Sequence, residues 1–327
     1  MSNDTTCAPD AGGAKTTGRE ALRGFLSRYD ILLAFIALVV LASFASDRFL
    51  TAQNLINIAR QVSIIGTTAL GATLVIITSG IDLAAGPIMV LGCMAVGLFQ
   101  KYNMLLVIVL AISVGGTGGL INGLLVAKLK IPPFIATFGM SGVFAGLAYI
   151  SSTGIRVVIN DQRWWWVGSG QLFGFIPVPV VFYAATAILT ATVLSRTVFG
   201  TYIYGMGANE TALRYSGVKV DRAKTLVYAL AGMVAALAGV ILAGRLREAD
   251  PGLALVYTLD VIAAVVMGGT RLEGGSGSIY RTVVGTLTIG VVGNIMNLLN
   301  VSAFYQQSVK GLLIITVLAL ISLRRER

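Results

Sequence analysis

The sequence predicts an all-α polytopic membrane protein of about ten transmembrane helices, and three observations predict it. Of 327 residues, 56% are hydrophobic and only 12% are charged, against roughly 25% charged in a soluble domain. The mean hydropathy is +0.85. Apolar segments recur along the chain at the ~20-residue length that crosses a bilayer.

Absences narrow the function. With no His in the chain, HExxH zinc sites, Ser-His dyads and histidine relays are excluded. Cys7 lies in a polar segment and Cys93 in an apolar run, which gives neither a disulfide framework nor a CxxC site. The net charge of +10 suggests nucleic acid at first sight. In a membrane protein such an excess instead marks cytoplasmic loops and a lipid bilayer as the partner.

Taken in order, residues 1–27 read as a polar cytoplasmic tail. Its DAGGAKT stretch (Asp10–Thr16) lacks the Gly before Lys and the preceding strand of a phosphate loop. The run from Ile31 to Ala45 resembles a signal peptide, but its leader is long and further spans follow, so an uncleaved anchor is expected. A transmembrane domain then covers 28–323, with apolar segments at 28–46, 60–78, 84–100, 104–127, 132–151, 176–194, 223–243, 257–270, 279–298 and 303–322. The eighth is short and ends in Gly, as a broken or tilted helix would. Residues 324–327 form a basic C-terminus. Alternating the loops between two sides places 16 basic residues inside and 7 outside, with Lys310 within the last span. That asymmetry puts both termini in the cytoplasm. Trp164, Trp165 and Trp166 fall outside, as an interfacial belt or a sugar-stacking platform.

The stretches Asn122–Gly139 and Asn294–Gly311 share an Asn and a Gly at equal separation, five spans apart. A repeat shifted by five spans runs inverted across the membrane, as in many transporters. The largest inside loop, 196–224, carries five basic residues between Arg196 and Lys224 without a long apolar run. Gly205, Gly207 and Asn209 are expected to break the chain before a short helix at 210–215, in which Glu210 and Arg214 pair at i, i+4. Ser216-Gly217 ends it. Such a helix under the membrane suits docking onto a cytoplasmic partner; a solvated basic loop is the alternative. Intramembrane polar groups are costly and mark function. Asp82 and Asp260 sit near span ends, where they snorkel toward water. Lys310 either reaches the outer interface or pairs with a carboxylate such as Asp260. Asn294, Asn297 and Asn300 either line a polar path for sugar hydroxyls or bond to neighbouring helices.

Three segments carry a family resemblance. Ser79–Gly86 reads SGIDLAAG, with Gly80, Asp82 and Gly86. Gly207–Val220 reads GANETALRYSGVKV. Leu259–Ser278 reads LDVIAAVVMGGTRLEGGSGS, with Asp260, Gly268, Gly269, Gly274 and Gly275. In that order the chain, from about residue 45 onward, resembles the permease subunits of bacterial ABC importers of the ribose, xylose and galactose class. The resemblance implies an inner-membrane, multi-pass permease that pairs with a second copy or a related permease. It implies cytoplasmic ATPase subunits and a periplasmic sugar-binding protein as partners. It also implies that the loop seats in the ATPase through Gly207, Asn209, Glu210, Ala212, Leu213, Arg214, Ser216 and Gly217. The chain itself has no nucleotide-binding motif, no nucleic-acid partner and no expected cofactor or metal, and makes no covalent chemistry. A different cargo (nucleoside, branched-chain amino acid or signalling furanone) and a secondary sugar transporter are the rival readings. Three positions depart from the family pattern: Pro87 stands where Ser is common, Arg271 replaces a small polar residue, and Arg281 replaces Gly.

Overall fold

The computed structural model describes residues 30–325. The tail 1–27, with Cys7, and the last two residues therefore lie outside the described residues. Each of the ten apolar segments falls on a helix: α1 (Asp30–Ala45), α2 (Ala52–Ile77), α3 (Ala85–Phe99), α4 (Met104–Ala127), α5 (Pro133–Ser151), α7 (Val178–Arg196), α9 (Val220–Leu246), α10 (Ala254–Met267), α11 (Ile279–Leu298) and α12 (Ala303–Arg325). Two further helices, α6 (Gln162–Ser169) and α8 (Val198–Tyr215), lie in the connections. Six of the helices (α2, α4, α5, α7, α9 and α11) are long and apolar enough to cross a membrane. By contrast α3 and α10 have 15 and 14 residues, about 22 Å at 1.5 Å per residue, short of the ~30 Å hydrocarbon core. Each adjoins a non-helical Gly-rich segment at the same end of the bundle, residues 78–84 and 268–278.

At the centre stands α9, packed on α4, α3 and α2, with α10 and α11 against the other side of α2. Glycines permit that packing. Gly115, Gly119 and Gly123, four residues apart on α4, meet the α9 backbone at Gly232, Tyr228–Ala229 and Thr225. A Cβ at Gly119 would overlap the Tyr228 carbonyl, and one at Gly123 would stand 2.7 Å from the Thr225 Cα. Further along α9, Gly239 admits the Met89 carbonyl of α3 and Gly244 admits that of Trp164 in α6. Such small-residue seams are how helices associate where lipid removes the usual hydrophobic preference.

The connections sort to two ends. At one end, Val157–Val158 pairs antiparallel with Glu248–Ala249, and Arg156 bridges to Asp250 at 2.9 Å. There the Gln100 side chain donates to the Val158 carbonyl and accepts from the Asn160 N–H. The three tryptophans share this end but not one environment. Trp164 is fully buried and donates to the Gln100 carbonyl, Trp165 lies 4.4 Å beneath the Arg247 guanidinium, and Trp166 is half exposed. A uniform belt is therefore replaced by one core residue, one cation–π platform and one exposed ring. Segments 78–84, 128–132, 197–219 and 268–278 gather at the opposite end, described below.

Asn294 meets Asn54 of α2 in a reciprocal amide pair, at 2.9 and 2.7 Å, both side chains buried. Asn297 instead accepts from Gln306 of α12 at 2.8 Å. Asn300 takes φ +56° in the turn after α11. The three asparagines thus serve a helix clasp, an α11–α12 contact and a left-handed turn. Asp260 is not at a span end: it sits mid-way along α10, buried, 2.8 Å from Lys310 Nζ. A carboxylate that deep has no route to water, so a neighbouring helix supplies its counter-charge.

A double-mutant cycle of Asn54→Ala and Asn294→Ala, followed by thermal unfolding in detergent, is expected to return a coupling of ~0.6–1.7 kcal/mol, the range for polar pairs between membrane helices. Additive single effects would show that the clasp is incidental.

Candidate functional site

At the end of the bundle opposite the Trp cluster, two non-helical segments and one kinked helix lock together through contacts to backbone groups. The first is the SGIDLAAG turn leaving α2. The Ser79 Oγ donates to the Glu273 carbonyl at 2.6 Å and to the Gly207 carbonyl at 3.3 Å. Thr137 of α5 clamps the same turn, accepting from the Leu83 N–H and donating to the Ile81 carbonyl. Asp82 does not snorkel outward. Its side chain is buried, and Oδ1 accepts the Ala84 N–H at 2.9 Å, closing an Asx turn just ahead of α3. Gly80 leaves room for Tyr228, whose hydroxyl would stand 2.6 Å from an added Cβ. Gly86 sits against the Ala254 carbonyl of α10.

The second element is the loop 268–278. Gly269, Gly274 and Gly275 hold φ of +72°, +87° and +71°, the left-handed region that favours Gly. The Gly275 N–H donates to the Ile77 carbonyl at 2.9 Å, satisfying one of the orphan acceptors at the C-terminus of α2. Gly268 faces the Arg281 carbonyl across the start of α11.

The third is α8. Its kink lies at Asn209, with φ −160° and ψ 94°; Gly205 and Gly207 are helical, contrary to the expected break at all three positions. Their work is contact. A Cβ at Gly207 would overlap the Ile77 carbonyl and the Gly275 N–H, while one at Gly205 would stand 3.2 Å from the Leu213 side chain. Tyr204 Oη anchors the segment by donating to the Gly277 carbonyl. Beyond the kink, Asn209 Oδ1 caps the Ala212 N–H at 2.9 Å, so 210–215 is a separate one-and-a-half-turn helix. It ends as expected, with Ser216 N–H bonded to the Ala212 carbonyl and Gly217 at φ +85°.

The short helix projects from the bundle. Thr211, Ala212, Ser216 and Gly217 are exposed, and Tyr215 is 88% exposed. Leu213 is the inward anchor. An ion-pair cluster fixes its bearing: Arg214 reaches Glu210 at 3.2 Å and Asp221 at 2.7 Å, Lys224 pairs with Glu210, and Lys130 of the α4–α5 connection reaches Asp221 at 2.8 Å. The i, i+4 pair was legible in the sequence. Asp221, Lys224 and Lys130 were not assigned, because their part depends on α9 starting beside the 128–132 connection. Tyr215 was missed as well; an aromatic between Arg214 and the helix-ending Ser-Gly is the signal that pointed to it.

Partial burial works against ionisation of Glu210, yet the Lys224 ammonium and then the Arg214 guanidinium hold its carboxyl below the ordinary value of 4.5. A depressed carboxylate pKa contributes stability above the ordinary value and loses it as the pH falls through the folded-state value. Hydrogen exchange across 210–215, corrected for intrinsic rates, is expected to be flat from pH 8 to about pH 5.5 and to accelerate below ~4.5. Glu210→Ala at pH 7 is expected to speed it about two- to fivefold, as for half-exposed pairs worth ~0.5–1 kcal/mol. Unchanged exchange would show that Leu213 alone holds the helix.

Comparison with known proteins matches residues 54–318 to the family described as branched-chain amino acid transport system / permease component. The ribose import permease protein RbsC of Bacillus subtilis is 40% identical over 301 residues, covering 91% of this chain and 93% of the relative. RbsC of Escherichia coli K12 is 38% identical, covering 90% and 93%. The L-arabinose ABC transporter permease protein AraH of Azospirillum brasilense is 34% identical, covering 96% and 93%. No solved structure matches the chain. With the family model spanning the bundle from α2 into α12, the chain belongs to the permease-component family of branched-chain amino acid transport systems and is a transport component, not an enzyme.

Proposed function

We propose that this chain is the membrane-spanning permease subunit of an ATP-driven importer that carries a monosaccharide. The observation that carries the reading is full-length similarity, 34–40%, to permeases named for ribose and arabinose import. The site agrees with it. An exposed, doubly capped helix at 210–215 stands at the end where the α2 terminus and the 268–278 loop meet, the placement a partner that delivers mechanical work requires.

In this reading ten helices span the inner membrane, with α3 and α10 as broken spans completed by their Gly-rich segments. Both termini lie in the cytoplasm, and the α4–α5 and α11–α12 pairs are inverted counterparts. Two permease chains flank the pathway. A periplasmic binding protein delivers sugar at the Trp end, and paired cytoplasmic ATPases grip the 210–217 helix through Ala212, Tyr215 and Ser216. Movement of that helix passes to α2 and to the α10–α11 loop because Gly207 touches both backbones, with no flexible side chain between them. The buried clasp between Asn54 and Asn294 then belongs to the frame, and the sugar's path lies elsewhere.

Purification from native membrane in mild detergent is expected to bring down a stoichiometric ATPase chain, and its binding protein identifies the cargo. Absence of an ATPase after crosslinking overturns the reading in favour of a secondary transporter. Labelled ribose and arabinose are the first cargoes to test; uptake of a nucleoside or amino acid alone would keep the class and change the solute. Gly207→Trp is expected to lower sugar-stimulated ATP hydrolysis at least about tenfold, a barrier change of ~1.4 kcal/mol, at normal membrane abundance. Tyr215→Asp, fully outside the bundle, is expected to do the same without affecting thermal unfolding of the isolated permease. Normal transport in both variants would sink the coupling assignment.

A further inference from the structure

The two arginines that depart from the family pattern lie on different elements, ten residues apart in sequence, yet they line one cleft. Arg271 comes from the loop after α10 and Arg281 from the first turn of α11. Gly269, Ser276, Gly277 and Ser278 complete an open cleft of about 390 Å³, within the roughly 300–1,000 Å³ of small-molecule sites. Neither arginine has a carboxylate within ion-pair distance among the described residues. The loop's acid, Glu273, does not line the cleft.

Each wall offers positive potential and donors. Ser278, which lines the cleft, is the N-cap of α11 and its Oγ accepts the Arg281 N–H, so the positive end of the helix dipole lies at the cleft. Gly277 and Gly269 present backbone without a side chain. A Cβ at Gly269 would stand 3.4 Å from Arg281 Nη1, so the guanidinium lies directly over that peptide. Beside the cleft, Thr270 is 3% exposed and its Oγ1 has no partner. That oxygen would lie 3.1 Å from a Cβ on the cleft-lining Gly277. Among the described residues the two guanidinium groups of the cleft have no carboxylate partner and the buried Thr270 hydroxyl behind Gly277 has no hydrogen-bond partner, which leaves cationic donors for an acceptor-rich anion.

We propose that this cleft binds a phosphate group, held between Arg271 and Arg281 and seated on the Gly277-Ser278 amides at the start of α11. Bidentate arginines, a helix N-terminus and a Gly-Ser loop together suit a tetrahedral oxyanion. Two sources carry that chemistry at this end of the bundle: the headgroup of an anionic phospholipid in the adjoining leaflet and a soluble phosphate compound. Because the cleft adjoins the loop that holds Gly207, occupancy also stiffens the seat of the coupling helix.

The test uses the full-length chain in nanodiscs of phosphatidylcholine, with or without phosphatidylglycerol, and titration of inorganic phosphate into the phosphatidylcholine discs. Native mass spectrometry counts retained lipid, and thermal unfolding reads the phosphate effect. Retained phosphatidylglycerol that falls about tenfold or more in Arg271→Ser/Arg281→Gly identifies a headgroup site. Stabilisation by phosphate in lipid-neutral discs, with affinity about tenfold weaker in the double variant, identifies a soluble ligand. Should the double variant not fold, Arg281→Gln and Arg271→Lys/Arg281→Lys serve: the first is expected to lose binding and the second to keep part of it. Equal lipid retention and equal phosphate response in wild type and variants overturns the site. None of these readings requires transport or an ATPase, so failure here leaves the importer assignment untouched.

Discussion

The structure depends on the close approach of α9 to its neighbours. In water, burying apolar surface would hold these helices together, but in a bilayer the lipid chains satisfy that surface equally well. What remains is dispersion at short range and backbone contact, both of which need the side chains out of the way. On α4 the absence of a Cβ at Gly115, Gly119 and Gly123 provides this, and on α9 it recurs at Gly232, Gly239 and Gly244. Each faces a carbonyl or Cα of another helix. A bundle built on such seams is stiff along α9, and its freedom lies at the ends.

At one end that freedom is narrowed further. The α2 terminus and the 268–278 loop share a backbone hydrogen bond, hydroxyls of Ser79 and Tyr204 tie both to the first half of α8, and all three converge on Gly207. Only the short helix after Asn209 stands clear of the bundle, and its cluster of Lys130, Glu210, Arg214, Asp221 and Lys224 sets its direction. A force applied to Ala212 or Tyr215 therefore reaches α2 and α11 through peptide groups over a few ångströms. In the proposed coupling, charged side chains orient the short helix while glycine contacts transmit its motion.

Much of this was legible in the sequence, for reasons that differ by element. Apolar length announced each helix because the bilayer imposes one dimension on all spans. The short α10 was visible in its early glycines. The capped helix at 210–215 was visible because Asn, Glu-Arg spacing and Ser-Gly are local signals. Pairings between distant elements were not. The partner of Asn294 is Asn54, 240 residues away, and the choice between interface and ion pair for Lys310 turned on where α10 begins. Asp82 and Asp260 were misplaced near water because burial follows from neighbours that a single helix pattern does not contain. Helix α6 and the scattered fates of Trp164, Trp165 and Trp166 belong to the same class.

Those buried acids bear on how energy enters the protein. A proton- or ion-coupled carrier needs a carboxylate or His near the midplane whose charge state changes during the cycle. The chain has no His. Of its buried carboxylates among the described residues, Asp82 holds the turn before α3 through the Ala84 N–H and Asp260 is neutralised by Lys310. Protonating the first would weaken the turn that leads into α3, and protonating the second would strand a lysine between α10 and α12 at a cost of several kcal/mol. Both titrations damage the frame. The paired charges of the 210–217 segment lie at the surface instead, where a partner can engage them without desolvating the bundle, a distribution that suits the proposed mechanical drive from outside the membrane.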